Sequence, residues 1–269
     1  MVFIVPNAGA ERLRAYLLPS FPLSELPALK KAFEFGTCAP FATMLELVIA
    51  HAPADWVDQS FEYMRQKEDE AGREEPFVVV DERGAGGREG AVWYVARFAT
   101  EDEVEDGEAA STDVVWRIPV KTECLALTCV NYEIANTTLQ EDLDQFGVEL
   151  PVDTDYEVDE ADDCGGLDME GERKGKGAVV IAEPGEFVES TDEALRKNYM
   201  PRPEKVARLK DGVAETVGVV NAWSRPSSVS SWEMPDGTEK QFPEGSIQLQ
   251  LNYDPDFDWP EYKWPEGSL

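Results

Sequence analysis

The sequence predicts an α+β fold, with N-terminal helices packed on a small sheet and a β-rich C-terminal part. Three observations carry that expectation. Helix signals crowd the first seventy residues, among them a Ser24 cap, Pro27 in the first turn and Gly36 as a stop. Branched and aromatic runs suited to buried strands take over at residues 77–81, 91–98 and 114–120. Strict apolar–polar alternation then marks residues 247–253, the signature of a half-buried strand.

In order, residues 2–5 read as a short edge strand, ended by Pro6 and a turn at Asn7, Ala8 and Gly9. Residues 10–18 read as a helix with Leu13, Tyr16 and Leu17 on one face. A second helix spans 24–35, and a third spans 41–50, apolar nearly all round apart from Glu46. A fourth covers 54–67, with Trp56, Phe61 and Met64 turned inward. The strands at 77–81 and 91–98 form a hairpin across a glycine-rich loop. The central strand, 114–120, leads through the apolar passage 124–130 to a helix from Thr138. Thr138 and Glu141 are spaced as a capping box, Leu139, Leu143 and Phe146 share a face, and Gly147 is a stop.

No Lys or Arg lies between Lys121 and Arg173, whereas acids follow one another closely from Asp153 to Asp163. A run of this kind repels itself and stays solvated, so residues 151–175 read as an acidic linker or surface loop. It separates a part at 1–150 from a β-rich part at 176–269, which can share one core with the first. In the last part a strand is expected at 178–181 and a helix capped by Ser190 up to Tyr199. Another strand covers 216–223, and a hairpin turns at Pro235, Asp236 and Gly237. The tail from Asp254 is expected to be extended and packed back through Trp259, Tyr262 and Trp264.

Composition bounds the function. The chain has 269 residues, 42 % of them apolar and 10 % aromatic, enough to offset chain entropy and exclude disorder throughout. Its 55 acidic and 24 basic residues give a formal charge of −31. Such a surface repels phosphate backbones and anionic lipid, which excludes nucleic acid bound by a basic patch and excludes membrane attachment. It favours cationic partners. No window of about 18 apolar residues is present, and the first residues lack the charged start of a signal peptide. Cys38, Cys124, Cys129 and Cys164 form no C-x-x-C pair, which points to the cytoplasm.

The motifs that carry chemistry fail on spacing. The loop from Gly84 to Gly90 follows a strand but leads into another strand, so the helix N-terminus that would hold a phosphate is missing. The basic cluster Arg173, Lys174 and Lys176 has the same defect. A calcium loop starting at Asp153 would need Gly at its sixth position, which is Val158. No G-x-S-x-G elbow exists, and the single histidine, His51, reads as a cation at the end of an apolar helix. No cofactor or metal is expected.

From Trp116 to Gly147 the order of residues resembles a family of uncharacterised bacterial and fungal proteins. The matching positions are Arg117, Pro119, Asn131, Ile134, Ala135, Asn136 and the helix from Thr138. The family's usual Trp between the Pro and the Asn is absent, and Leu125 stands nearby instead. The resemblance covers about an eighth of the chain; it implies a compact α/β domain and brings no activity with it.

Two functions of different class are expected. In the first, the protein is a non-catalytic binder of a basic protein surface, using Trp232, Trp259, Tyr262 and Trp264 among the acids of the last third. In the second, it is a small-molecule enzyme with Arg117, Asn131 and Asn136 as convergent polar groups.

Overall fold

The computed structural model describes residues 1–6 and 9–269. Asn7 and Ala8, the first two residues of the expected turn, lie outside the described residues. In chain order the elements begin β1 (Val2–Ile4), β2 (Glu11–Leu17), α1 (Leu26–Gly36), β3 (Leu45–His51), α2 (Phe61–Glu70) and β4 (Phe77–Val80). Next come β5 (Ala91–Phe98), α3 (Glu101–Glu105), β6 (Val115–Lys121), α4 (Leu125–Glu133), α5 (Leu139–Gln145) and α6 (Met169–Gly175). The last third holds β7 (Gly177–Ala182), β8 (Phe187–Ser190), α7 (Glu193–Arg196), β9 (Val206–Leu209) and α8 (Val213–Val217). It ends with β10 (Val219–Val220), β11 (Ser227–Ser228), β12 (Ser231–Glu233), β13 (Glu239–Gln241) and β14 (Ile247–Tyr253). Helices and strands both build the chain, so α+β holds in its coarse form.

The chain divides into two compact units. One comprises residues 1–10, 40–42 and 170–261, the other residues 11–39, 43–169 and 262–269.

The larger unit is built on a five-stranded sheet of order β3-β2-β4-β5-β6, parallel among β3, β2 and β4 and antiparallel across β5 and β6. From β2 the chain crosses through α1 to β3 on one side, then through α2 to β4 on the other. Two right-handed crossovers in opposite directions place their helices on opposite faces. The two cores show that arrangement. Leu29 and Phe33 of α1 pack with Leu13, Ala15, Leu17, Val78 and Val80, joined by Leu125 of α4 and Leu139 and Leu143 of α5. Trp56 and Met64 of α2's side pack with Tyr16, Phe77, Val79, Trp93 and Val95 on the reverse. The opposite parity of these strand residues follows from the period of two.

The expected helices at 10–18 and 41–50 are therefore strands, and the first seventy residues are not a helical layer. β2 lies between β3 and β4, and Ala15, Tyr16 and Leu17 at its end are buried on both faces, so its apolar run carries no clean alternation and matches a helical spacing by accident. β3 hides its true pattern in the same way: Leu45, Leu47 and Ile49 are buried, and the alternate positions are apolar too, except Glu46. His51 consequently ends a strand rather than a helix and is exposed. The passage 124–130 is mostly α4, and it approaches α1 so closely that a Cβ on Gly36 would collide with the Glu123 carbonyl oxygen. The hairpin β4–β5 forms as expected. Its glycine-rich loop folds on itself, with the place of a Gly90 Cβ only 2.7 Å from the Gly84 carbonyl.

Both edges of this sheet are occupied. At β3 the Leu269 amide donates to the Ile49 carbonyl at 2.9 Å, and the Ile49 amide donates to Ser268 Oγ at 3.1 Å. At β6 the acid-rich segment does the same work, described below. Covered edges do not template pairing with other chains.

The smaller unit has an antiparallel sheet in which β14 pairs with β7 on one side and with β10 and β11 on the other, and β1 closes beyond β7. The alternation expected for 247–253 is present, with Ile247, Leu249, Leu251 and Tyr253 all buried. The hairpin β12–β13 turns at Gly237, whose φ of 79° needs a residue without a Cβ. Residues 216–223, expected as a strand, give instead the end of α8 and the two-residue β10. Asp192, not Ser190, caps α7, accepting the Ala194 amide at 2.9 Å.

Candidate functional site

The acid-rich segment is ordered by its apolar minority. Between residues 152 and 159 burial alternates: Val152, Tyr156 and Val158 point inward, and Asp153, Asp155, Glu157 and Asp159 stay exposed. The inward residues join the core between the sheet and α5. The Tyr156 hydroxyl accepts the Arg117 amide at 2.6 Å and donates to the Arg117 carbonyl at 2.7 Å. A side chain thus supplies the bonds a sixth strand would have made to the free edge of β6. Further along, the Lys121 amide donates to the Asp162 carbonyl, and the Asp162 amide to the Pro119 carbonyl, both at 2.8 Å.

Arg117 completes the clamp. Its guanidinium is buried, lies 4.1 Å from the Tyr156 ring centre and 5.0 Å from that of Phe61, and donates to the Tyr156 carbonyl at 2.6 Å. Burial pushes the Tyr156 hydroxyl up to about 12, against the pull of the Arg117 charge. The desolvation of the arginine is offset by carbonyl oxygens and ring faces, so the outward carboxylates stay available. A cavity of about 280 Å³ lies beside the clamp, bounded by Phe61, Trp93, Arg83, Arg117 and the acidic strip.

A second acidic loop runs alongside. Residues 101–113 meet the strip where the Ala110 amide donates to the Val152 carbonyl at 2.8 Å and the Val152 amide to the Glu108 carbonyl at 3.0 Å. Its hub is Glu103, whose carboxylate accepts from Arg97, the Thr100 amide, Trp116 and Gln140. Against a burial that would raise it, the Arg97 guanidinium and the Thr100 and Trp116 donors hold the Glu103 carboxyl down to about 2. Glu101, Asp102, Glu105 and Asp106 remain exposed, so both segments present carboxylates to solvent.

On the α4 face, Tyr94 of β5 and Tyr132 of α4 face each other with ring centres 5.4 Å apart. They separate two cavities that both tyrosines line. One, of about 500 Å³, has Glu11 and Glu133 at its rim over Leu13, Leu45 and Cys129. The other, of about 210 Å³, reaches Arg97, Trp116 and Gln140. Tyr132 donates to Asp142 at 2.6 Å. Burial raises the Tyr94, Tyr132 and Cys129 groups, so all three are neutral at physiological pH. Nearby, the Cys164 thiol donates to the Cys124 carbonyl at 3.8 Å, and Thr128 donates to Asp162 at 2.7 Å. Among the described residues no group of three or more His, Cys, Asp and Glu side chains is gathered to hold a metal ion.

The residues singled out from sequence fall in separate places. Arg117 points to the α2 face, while Asn131 and Asn136 lie on and just after α4, where Asn136 Nδ2 donates to Asn131 Oδ1 at 3.4 Å. The three do not line one cavity. Trp232 is half-buried and opposite Lys240 in the β12–β13 hairpin. Trp259 packs on Phe41, Tyr253 and Phe257 within the smaller unit and donates to the Asp254 carbonyl. Trp264 packs on Phe33 and donates to Glu34 at 2.8 Å, with Lys30 over its ring and Tyr262 at its edge. The tail's rings are engaged in internal packing. Sequence reading passed over Tyr156, Glu103, Tyr94, Glu11 and Glu133. The alternation of Val152, Tyr156 and Val158 with acids was the one local signal that could have found the strip.

The chain matches no family model, no curated protein and no solved structure.

Proposed function

We propose that this protein is a non-catalytic binding protein whose acidic surface engages a basic protein partner. The observation that supports the reading is the strip at 152–159: its backbone is pinned by Arg117 and Tyr156, and its four acids are held outward. A partner therefore meets charges whose ordering entropy is already spent, and the sheet edge behind them is satisfied. The surrounding carboxylates add long-range steering that speeds encounter with a cationic surface. Four free thiols suit a reducing compartment, and the reading puts the protein in the cytoplasm. Among the described residues no helix is long and apolar enough to cross a membrane.

The test uses a fluorescent Lys/Arg-rich peptide and anisotropy. Affinity is expected to fall steeply as salt rises from about 0.05 to about 0.5 M. The variant D153N/D155N/E157Q/D159N should bind at least about tenfold more weakly at low salt, a loss of about 1.4 kcal/mol. Unchanged affinity in that variant, or binding indifferent to salt, would count against the reading.

A further inference from the structure

We propose that the larger cavity beside Tyr94 is a binding site for a small primary amine with an apolar body. The site lies at the starts of β2 and β3, away from the acidic strip, and does not depend on the reading above. Glu11 and Glu133 both stand exposed at the rim, and the charge of Glu133 bears on the Glu11 carboxyl. Such a pair holds a proton or a cation between its members. Burial and the charge of Glu133 together raise the Glu11 carboxyl, in keeping with an unmet demand for positive charge. Arg12 also borders the cavity, but its guanidinium is engaged by Glu46 at 2.7 Å, and Glu75 adds a further carboxylate.

Tyr94 is the independent observation. Its side chain is only 6 % exposed, and among the described residues no hydrogen bond reaches its hydroxyl. Glu11 and Glu133, whose charges bear on that hydroxyl, both line this cavity. The hydroxyl is not among the fully buried polar atoms left without a partner, so it opens to the water of the cavity, where a ligand's polar atom can take that water's place. An alkylammonium has three N–H donors. Here it finds three acceptors: two carboxylates and the Tyr94 oxygen.

The rest of the cavity selects the body of the ligand. Leu13, Leu45 and the face of Tyr132 form an apolar floor, and a volume of about 500 Å³ suits a small organic molecule. Two carboxylates fall short of the six to eight oxygens a calcium ion takes (about that many by coordination chemistry), so an organic cation fits better than a metal.

The probe is 2-phenylethylammonium, titrated by calorimetry and by protein NMR against 3-phenylpropan-1-ol and N,N,N-trimethyl-2-phenylethylammonium. The primary amine is expected to bind at about millimolar Kd or tighter, with shifts centred on Tyr94, Tyr132 and Leu13. The alcohol lacks the charge and the trimethyl compound lacks the donors, so each should bind at least about tenfold more weakly. E11Q/E133Q should weaken the amine by about tenfold or more, and Y94F by about threefold, since it removes one acceptor. Y94F deletes an unpartnered hydroxyl and so leaves the fold intact, which keeps the test decisive if the double variant melts early. Amine binding undetectable at about 10 mM, equal binding of the alcohol, or full affinity in Y94F and E11Q/E133Q would overturn the proposal.

Discussion

Replacing Tyr156 with Phe tests whether one hydroxyl closes the edge of β6. The ring fills the same space in the variant and still lies against the Arg117 guanidinium, so packing and the cation–π contact persist. What disappears is the acceptor for the Arg117 amide at 2.6 Å and the donor to the Arg117 carbonyl at 2.7 Å. Arg117 is 6 % exposed, and water reaches neither group readily. Each buried backbone group left without a partner costs roughly 1–3 kcal/mol, and partial relaxation brings the pair to about 2–4 kcal/mol. Urea unfolding should register that loss as a lower midpoint at unchanged slope. Amide exchange should then speed up at Arg117 and across residues 153–159, while β2 and β4 stay protected. A loss under about 0.5 kcal/mol, with exchange at Arg117 unaltered, would refute the claim that this side chain stands in for a sixth strand.

Other measurements follow from the same geometry. Gly36→Ala should destabilise the larger unit by about 2 kcal/mol or more, because the added methyl meets the Glu123 carbonyl and α1 and α4 must part; thermal melting checks it. Glu103 has a folded-state value held down to about 2, so its contribution is fully present above the ordinary carboxylate range and is lost as pH falls toward 2. Glu103→Gln should therefore lower stability at neutral pH and flatten its fall between about pH 4.5 and 2. At the alkaline end the sign reverses. Burial raises Tyr16, Tyr156 and Tyr262 to about 12, so their contribution is present below the ordinary tyrosine value and is lost as pH climbs through about 12. Tyrosinate absorbance at 295 nm should consequently rise together with unfolding, not before it.

Local chemistry is legible in this sequence wherever one face of an element is wet. The alternation at Ile247–Tyr253, the Thr138–Glu141 capping box of α5 and the Pro235–Gly237 turn each depend on neighbours a few residues away, and each is present. The surplus of acid is likewise a property of composition. β2 and β3 were illegible because their apolar residues serve two faces or lie under covering segments, which erases the period that separates a strand from a helix.

Only the tertiary structure brings together residues remote in the chain. Tyr156 becomes an edge cap because β6 has a free side there, and the acidic strip becomes rigid because three apolar residues find a core that already exists. Glu11 and Glu133 carry no mutual signal in sequence; the parallel start of β2 and the end of α4 set them across one cavity. Composition decided what this surface is charged with. Long-range pairing decided where that charge is held still, since the energy that fixes it comes from contacts no local window contains.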